Sequence, residues 1–233
     1  MVPTSTSVAR SRVALAVALC IAAAGLSACG PSTYSLRERG IRAYQFDRYE
    51  LARDSFERVV AVKPSDPEAN YYLGLLALKD DKPSEARNHL EITYTLYEAR
   101  TELPPEMPDL LDALAEAMYL EGERQQLIAF TDQAINRFGN LEDYLRKAEY
   151  LARLGDHDSA LTAHRAAIEI ADPADPRAHH ALADFYESIG DRDRALDVLK
   201  DAYAVAPENP TTAERLRSYG VVPGPTLIDP TAD

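Results

Sequence analysis

The residues whose types and spacing bear on catalysis or metal binding are two acidic clusters and a few histidines. Asp156-His157-Asp158 and Asp191-Arg192-Asp193 each place two carboxylates two residues apart. A calcium loop of the EF-hand kind needs Gly at its sixth position, and Leu161 and Leu196 stand there. Each cluster directly follows a glycine, Gly155 or Gly190, where an Asp caps the helix that begins next. His179 and His180 are adjacent, and neighbouring side chains on a helix do not converge on one ion. His157 and His164 lie seven residues apart with no third ligand nearby. The chain has no Gly-rich phosphate loop, no G-x-S-x-G and no H-E-x-x-H. These residues nominate no catalytic site, no metal and no cofactor, and the expectation is a protein that is not an enzyme.

The elements around them are helical. Ala and Leu dominate the periodic segments of the 233 residues, Trp is absent, and 46% of the chain is apolar. The net charge is −13, which removes the basic footprint that nucleic-acid binding requires.

The N-terminus reads as a leader. Arg10 and Arg12 precede sixteen uncharged residues, 13–28, and no acidic residue occurs before Glu38. A run of that length is short of the ~20 apolar residues of a membrane-spanning helix and fits a secretory signal. It ends in Leu26-Ser27-Ala28-Cys29-Gly30, which resembles the bacterial lipobox. The resemblance implies cleavage after Ala28, acylation of Cys29 and a membrane anchor on the periplasmic side, with Gly30 compatible with the outer membrane. Cys20 would leave with the leader, so the mature chain would contain no disulfide.

A helix-pair repeat comes next, clearest over 176–209. Leu182, Ala183 and Tyr186 recur on one helical face, Gly190-Asp191 breaks the chain, Ala195, Leu199 and Ala202 recur on the next helix, and Pro207 ends it. The same marks return as Leu36, Gly40, Tyr44, Ala52, Phe56, Val59 and Pro64, then as Leu73, Gly74, Ala77, Ala86 and Leu90. A third copy has Leu114, Ala115, Met118, Gly122, Leu127 and Ala134, with Phe130 standing in for an aromatic displaced by Thr131. A fourth has Tyr144, Ala148, Leu151, Gly155, Ala160 and Ala167, with Lys147 and His164 at places usually apolar. Ala52 and Ala86 are 34 residues apart, and Ala160 and Ala195 are 35 apart.

This pattern resembles the tetratricopeptide repeat, a helix–turn–helix unit of about 34 residues. The resemblance implies an all-α, right-handed α-solenoid of about five repeats, over 33–66, 67–100, 108–141, 142–175 and 176–209, with a C-terminal capping helix. The reading sets 1–28 as leader, 29–34 as lipidated cysteine and linker, 35–219 as the repeat domain (cap 210–219), and 220–233 as a Pro-rich flexible tail. Thr93 and Glu98 replace the closing small residue and Pro of the second copy. Its second helix is therefore predicted over 84–101, before an insertion at 102–108. Tyr94 and Tyr97 on that helix are expected to pack on Leu103 and Met107.

The resemblance also assigns a concave groove to the first helix of each pair. Carried over, its lining includes Glu68, Tyr71 and Leu75; Asp109, Asp112, Glu116 and Tyr119; Glu142, Glu149 and Arg153; and His180, Asp184 and Glu187. Carboxylates outnumber basic groups there, with Tyr and Leu interleaved. That composition suits an extended or helical peptide with basic and apolar side chains. The expected function is a membrane-anchored, periplasm-facing interaction scaffold or assembly adaptor. Two alternatives stand beside it: a type IV pilus, tight-adherence or secretion-system assembly lipoprotein, and a periplasmic hydrolase or peptidoglycan-binding protein.

Overall fold

The computed structural model describes residues 32–97, 109–224 and 227. Among these, eleven helices succeed one another, and no strand occurs. They pair in order: α1 (Thr33–Gln45) with α2 (Tyr49–Val62), α3 (Pro67–Lys79) with α4 (Pro83–Tyr97), and α5 (Leu110–Leu120) with α6 (Arg124–Arg137). α7 (Leu141–Arg153) pairs with α8 (His157–Ile170), α9 (Arg177–Ser188) with α10 (Arg192–Val205), and α11 (Pro210–Ser218) closes the series. The leader with Cys29, and the 102–108 insertion with Leu103 and Met107, lie outside the described residues. α4 begins at Pro83, and the expected continuation from 98 to 101 also falls outside them.

One turn geometry recurs between paired helices. The backbone N–H of Arg48, Lys82, Glu123, Asp156 and Asp191 donates to the carbonyl five residues back, at 2.8–3.0 Å. This is the six-to-one bond of a Schellman stop, which needs a left-handed residue just before the donor. Gly122, Gly155 and Gly190 supply it, with φ between 76° and 80°; in the first two pairs Asp47 (φ 56°) and Asp81 (φ 58°) do so instead. Asp tolerates that region better than most side chains, so the turn persists where the glycine is missing. The next helix is then capped as expected by Asp156 and Asp191, which accept from Ser159 N (3.3 Å) and Arg194 N (3.1 Å). Asn140 and Asp143 form a reciprocal capping box on α7, and Asn209 caps α11.

The described residues fall into two compact units, divided between Ala69 and Asn70. In the first, Leu36, Gly40 and Ala43 of α1 face Ala52, Phe56 and Val59 of α2, all buried. The helices close tightly because Gly40 has no side chain: a Cβ there would lie 2.7 Å from the Phe56 ring. In the second unit Gly74 does the same against Leu90, at 2.5 Å. One core cluster there joins Ala77, Leu90, Leu114, Ala115, Leu127 and Phe130; another joins Ala148, Leu151, Ala160, Leu182 and Phe185. Phe130 does take the aromatic place beside Thr131, whose hydroxyl donates to the Ile128 carbonyl at 2.9 Å. Tyr94 packs edge-on against Phe130, with the Arg137 guanidinium over its ring, so its neighbours here are on α6.

At the C-terminal end Leu216 of α11 is fully buried with Leu199 and Tyr203. Val221 and Leu227 pack against the same cluster. Both residues lie within the segment expected to be a Pro-rich tail, 220–233.

Candidate functional site

The first helices carry their polar residues in a repeat-spaced order. In the second unit, carboxylates on one first helix meet arginines from the helix that begins the next repeat. Asp112 on α5 accepts from Arg146 Nε on α7 at 2.6 Å. Glu116 accepts both Arg153 nitrogens, at 2.5 and 2.9 Å. Glu142 on α7 accepts from Arg177 on α9 at 2.6 Å, and Asp184 and Glu187 on α9 meet Arg215 on α11 at 2.7 and 3.1 Å. The partners are 28–37 residues apart, about one repeat. In the first unit Arg37 on α1 reaches Glu68 at 2.5 Å and Asp66 at 3.3 Å.

The centre of this face is the group Glu116, Tyr119, Tyr150 and Arg153. The Arg153 guanidinium lies 4.0 Å from the Tyr119 ring centroid and 4.8 Å from that of Tyr150. Planar stacking and a bidentate carboxylate use both recognition modes of an arginine at once. Tyr150 donates to Glu116 at 3.0 Å. The Arg153 hydrogen bond holds the Glu116 carboxyl below its ordinary range, against the opposing effect of burial. Burial, followed by the Glu116 charge, pushes the Tyr150 hydroxyl up. Glu149 reaches Arg153 at 3.6 Å and is otherwise open to solvent.

Below this group Arg146 is buried and also donates to buried Asp143 at 2.8 Å. Burial raises the Asp143 carboxyl even with the guanidinium beside it. Removing either partner would leave a buried charge uncompensated, and Arg146 links α7 to α5 through its bond to Asp112.

The remaining groove residues divide. Leu75 is partly buried against the core, and Asp109 is exposed at the start of α5 with no side-chain cap bond. His180 bonds Thr212 at 2.7 Å. Tyr71 requires correction: only 2% of it is exposed, and it lies in the core rather than on a ligand-facing surface. The acidic groove residues are paired across repeats. Asp112, Glu116, Glu142, Asp184 and Glu187 all have guanidinium partners. Counting charges along the chain missed Arg146, Tyr150 and Arg215. Their signal was available as spacing, since Arg146 stands 34 residues after Asp112, one repeat.

His164 acts as a packing group. His164 is buried beside Phe185, with ring centroids 5.3 Å apart, and burial lowers its pKa to about 4. Lys147 donates to Asp132 on α6 at 2.5 Å, in a cleft between α6, α7 and α8. Among the described residues no three His, Cys, Asp or Glu side chains group as metal ligands. No helix among them is long and apolar enough to cross a membrane.

The fold and this face define a helix-pair repeat protein. Two family models, both described as tetratricopeptide repeat, match residues 37–100 and 176–216. The chain carries tetratricopeptide repeats over these stretches. Solved structures agree on the fold. A structure of MamA protein is 21% identical, covers 83% of this chain and 98% of its own, and has a TM-score of 0.57. TTC0263, a thermophilic TPR protein of Thermus thermophilus, is 24% identical, with coverages of 80% and 98% and a TM-score of 0.53. YrrB, described as a TPR protein with an unusual peptide-binding site, is 18% identical, with coverages of 80% and 92% and a TM-score of 0.52. No curated protein matches the chain in sequence.

Proposed function

We propose that this protein is a lipid-anchored, periplasm-facing scaffold that captures a protein segment along the first helices of its second unit and serves in an assembly. Tetratricopeptide repeats typically act as non-catalytic interaction scaffolds. The observation that carries the reading is the order of the first-helix face. Asp112, Glu142, Glu149 and Asp184 each keep half or more of their side chain exposed. Three of them are also held in place by an arginine of the next repeat. A carboxylate that already accepts one guanidinium bond has lone pairs left for a second donor. The face therefore offers fixed acceptors, with the Tyr119–Arg153 stack between them, to a segment bearing basic and apolar or aromatic side chains. YrrB, a repeat protein of the same fold, is described as having a peptide-binding site, which supports this use of the fold.

The test is capture of partners in intact cells by crosslinking and mass spectrometry, comparing wild type with Glu149→Lys/Asp184→Lys. Neither side chain is needed for core packing, so folding is expected to hold while capture falls. Undiminished capture would remove this face from the contact surface. The anchor is tested separately. Cys29→Ser is expected to release the protein from the membrane fraction washed in about 1 M salt, which screens surface charge contacts, and a variant that still sediments with membrane there after leader processing would refute lipidation.

A further inference from the structure

The outer face of the first helix pair differs from the rest of the molecule. Ser35, Arg39, Arg42 and Phe46 recur at i, i+4, i+7 and i+11, which sets them on one stripe of α1, while Leu36, Gly40 and Ala43 turn toward α2. Arg48 and Leu51 from the start of α2 join the stripe around a shallow cavity. Tyr34 and Phe46 at its rim are 64% and 68% exposed. Glu38 is the one carboxylate lining it among the described residues. Arginines of the first-helix ladder are each committed to a carboxylate, but Arg39, Arg42 and Arg48 make no ion pair among the described residues. Residues 32–69 hold seven basic and seven acidic side chains, whereas 70–233 hold 16 and 31. This surface thus groups three arginines without ion pairs among the described residues and two exposed aromatic rings.

We infer that this surface docks on anionic phospholipid headgroups, turning the first helix pair against the bilayer that holds Cys29. The choice of a lipid surface over other polyanions rests on the anchor reading given above. Cys29 is three residues before Ser32, and three residues span at most about 10 Å. A lipid on Cys29 would hold α1 within reach of the headgroup layer. Arginines are drawn to the negative surface potential there, and tyrosine and phenylalanine rings settle at the interface. Each arginine near an anionic surface contributes about a fivefold gain in partitioning, so three give on the order of a hundredfold. A lipid chain fixes only a point; this contact would also fix the tilt of the helices attached to it.

The test uses the mature chain from residue 29 with Cys29→Ser, so that neither leader nor lipid is involved, and vesicles of phosphatidylcholine with or without phosphatidylglycerol. Binding is expected to require phosphatidylglycerol and to weaken with salt. Arg39→Glu/Arg42→Glu/Arg48→Glu is expected to lose at least about a hundredfold in partitioning at unchanged helicity and melting temperature, and Tyr34→Ser/Phe46→Ser a smaller part. Equal binding by wild type and the charge-reversed variant would overturn the proposal. So would binding indifferent to phosphatidylglycerol, or a wild-type dimer in sedimentation that the variant abolishes, since the face would then meet a second copy. Mass measurement of the wild-type protein from membranes separates the two readings. An unmodified Cys29 with intact vesicle binding would remove the anchor and leave the basic surface standing.

Discussion

Breaking the contact between Glu116 and Arg153 is expected to loosen the joint between the third and fourth helix pairs by a measurable and non-additive amount. Both side chains are 31% exposed, midway between a solvated surface pair and a buried one. Surface pairs contribute up to about 1 kcal/mol, and breaking buried ones costs about 3–5 kcal/mol. The bidentate geometry, with hydrogen bonds of 2.5 and 2.9 Å, places the pair above the exposed range and below the buried one. After discounting for solvent screening, the coupling is about 1–2 kcal/mol. Arg153→Met removes in addition two ring contacts of about 0.5 kcal/mol each, so the single variant should lose roughly 2–3 kcal/mol. The assay is urea unfolding, monitored by circular dichroism, of wild type, Glu116→Gln, Arg153→Met and the double variant. The double variant should be more stable than the two single losses added together imply. About 1 M salt should reduce the coupling without abolishing it. Additivity to within about 0.3 kcal/mol would refute the idea that the ladder fixes one repeat on the next.

Other expectations rest on burial and backbone geometry. His164 has a folded pKa of about 4 against 6.5 in the unfolded chain, so the unfolded state binds more protons between those values. Stability should be complete above 6.5 and fall by about 3 kcal/mol as pH drops toward 4. His179 and His180, lowered chiefly by burial, act in the same direction. Melting curves at pH 7 and pH 5 would read this, and His164→Leu with an equally steep pH dependence would refute it. Gly74→Ala brings a Cβ to 2.5 Å from Leu90 Cγ and 3.2 Å from the Ala86 carbonyl, so it should cost roughly 1–3 kcal/mol by overpacking. A melting temperature unchanged from wild type would disprove the tight approach. Gly190→Val meets no neighbouring atom but must hold φ near +80°, which costs about 1–2 kcal/mol per residue in that region. Chemical denaturation distinguishes this backbone penalty from a steric one, because Gly190→Asn should recover part of the loss.

The helix pairs, their turns and their caps were legible along the chain because each is set within a few residues. Apolar spacing makes the faces. A left-handed residue before the Schellman donor makes the turn, and Asp156 and Asp191 cap the helices that begin after it. Even the irregular places behaved locally, as Phe130 took over the aromatic position from Thr131. Two turns escaped the glycine pattern because Asp47 and Asp81 adopt the same left-handed region.

The character of the first-helix face was not legible in this way. The sequence by itself determined that Asp112, Glu116, Glu142 and Asp184 stand on first helices and that acid exceeds base. Only the tertiary structure decided that these carboxylates are already committed, to arginines one repeat later. An ion pair depends on two side chains meeting, and here they meet only after one helix pair packs on the next. The same packing drew Tyr71 into the core, although its place in the repeat had set it on the groove. It also left Arg39, Arg42 and Arg48 without ion-pair partners among the described residues, while Arg37 on the same helix meets Asp66 and Glu68. A periodic sequence specifies each repeat through local rules; what its surface offers to a partner emerges from the contacts between repeats.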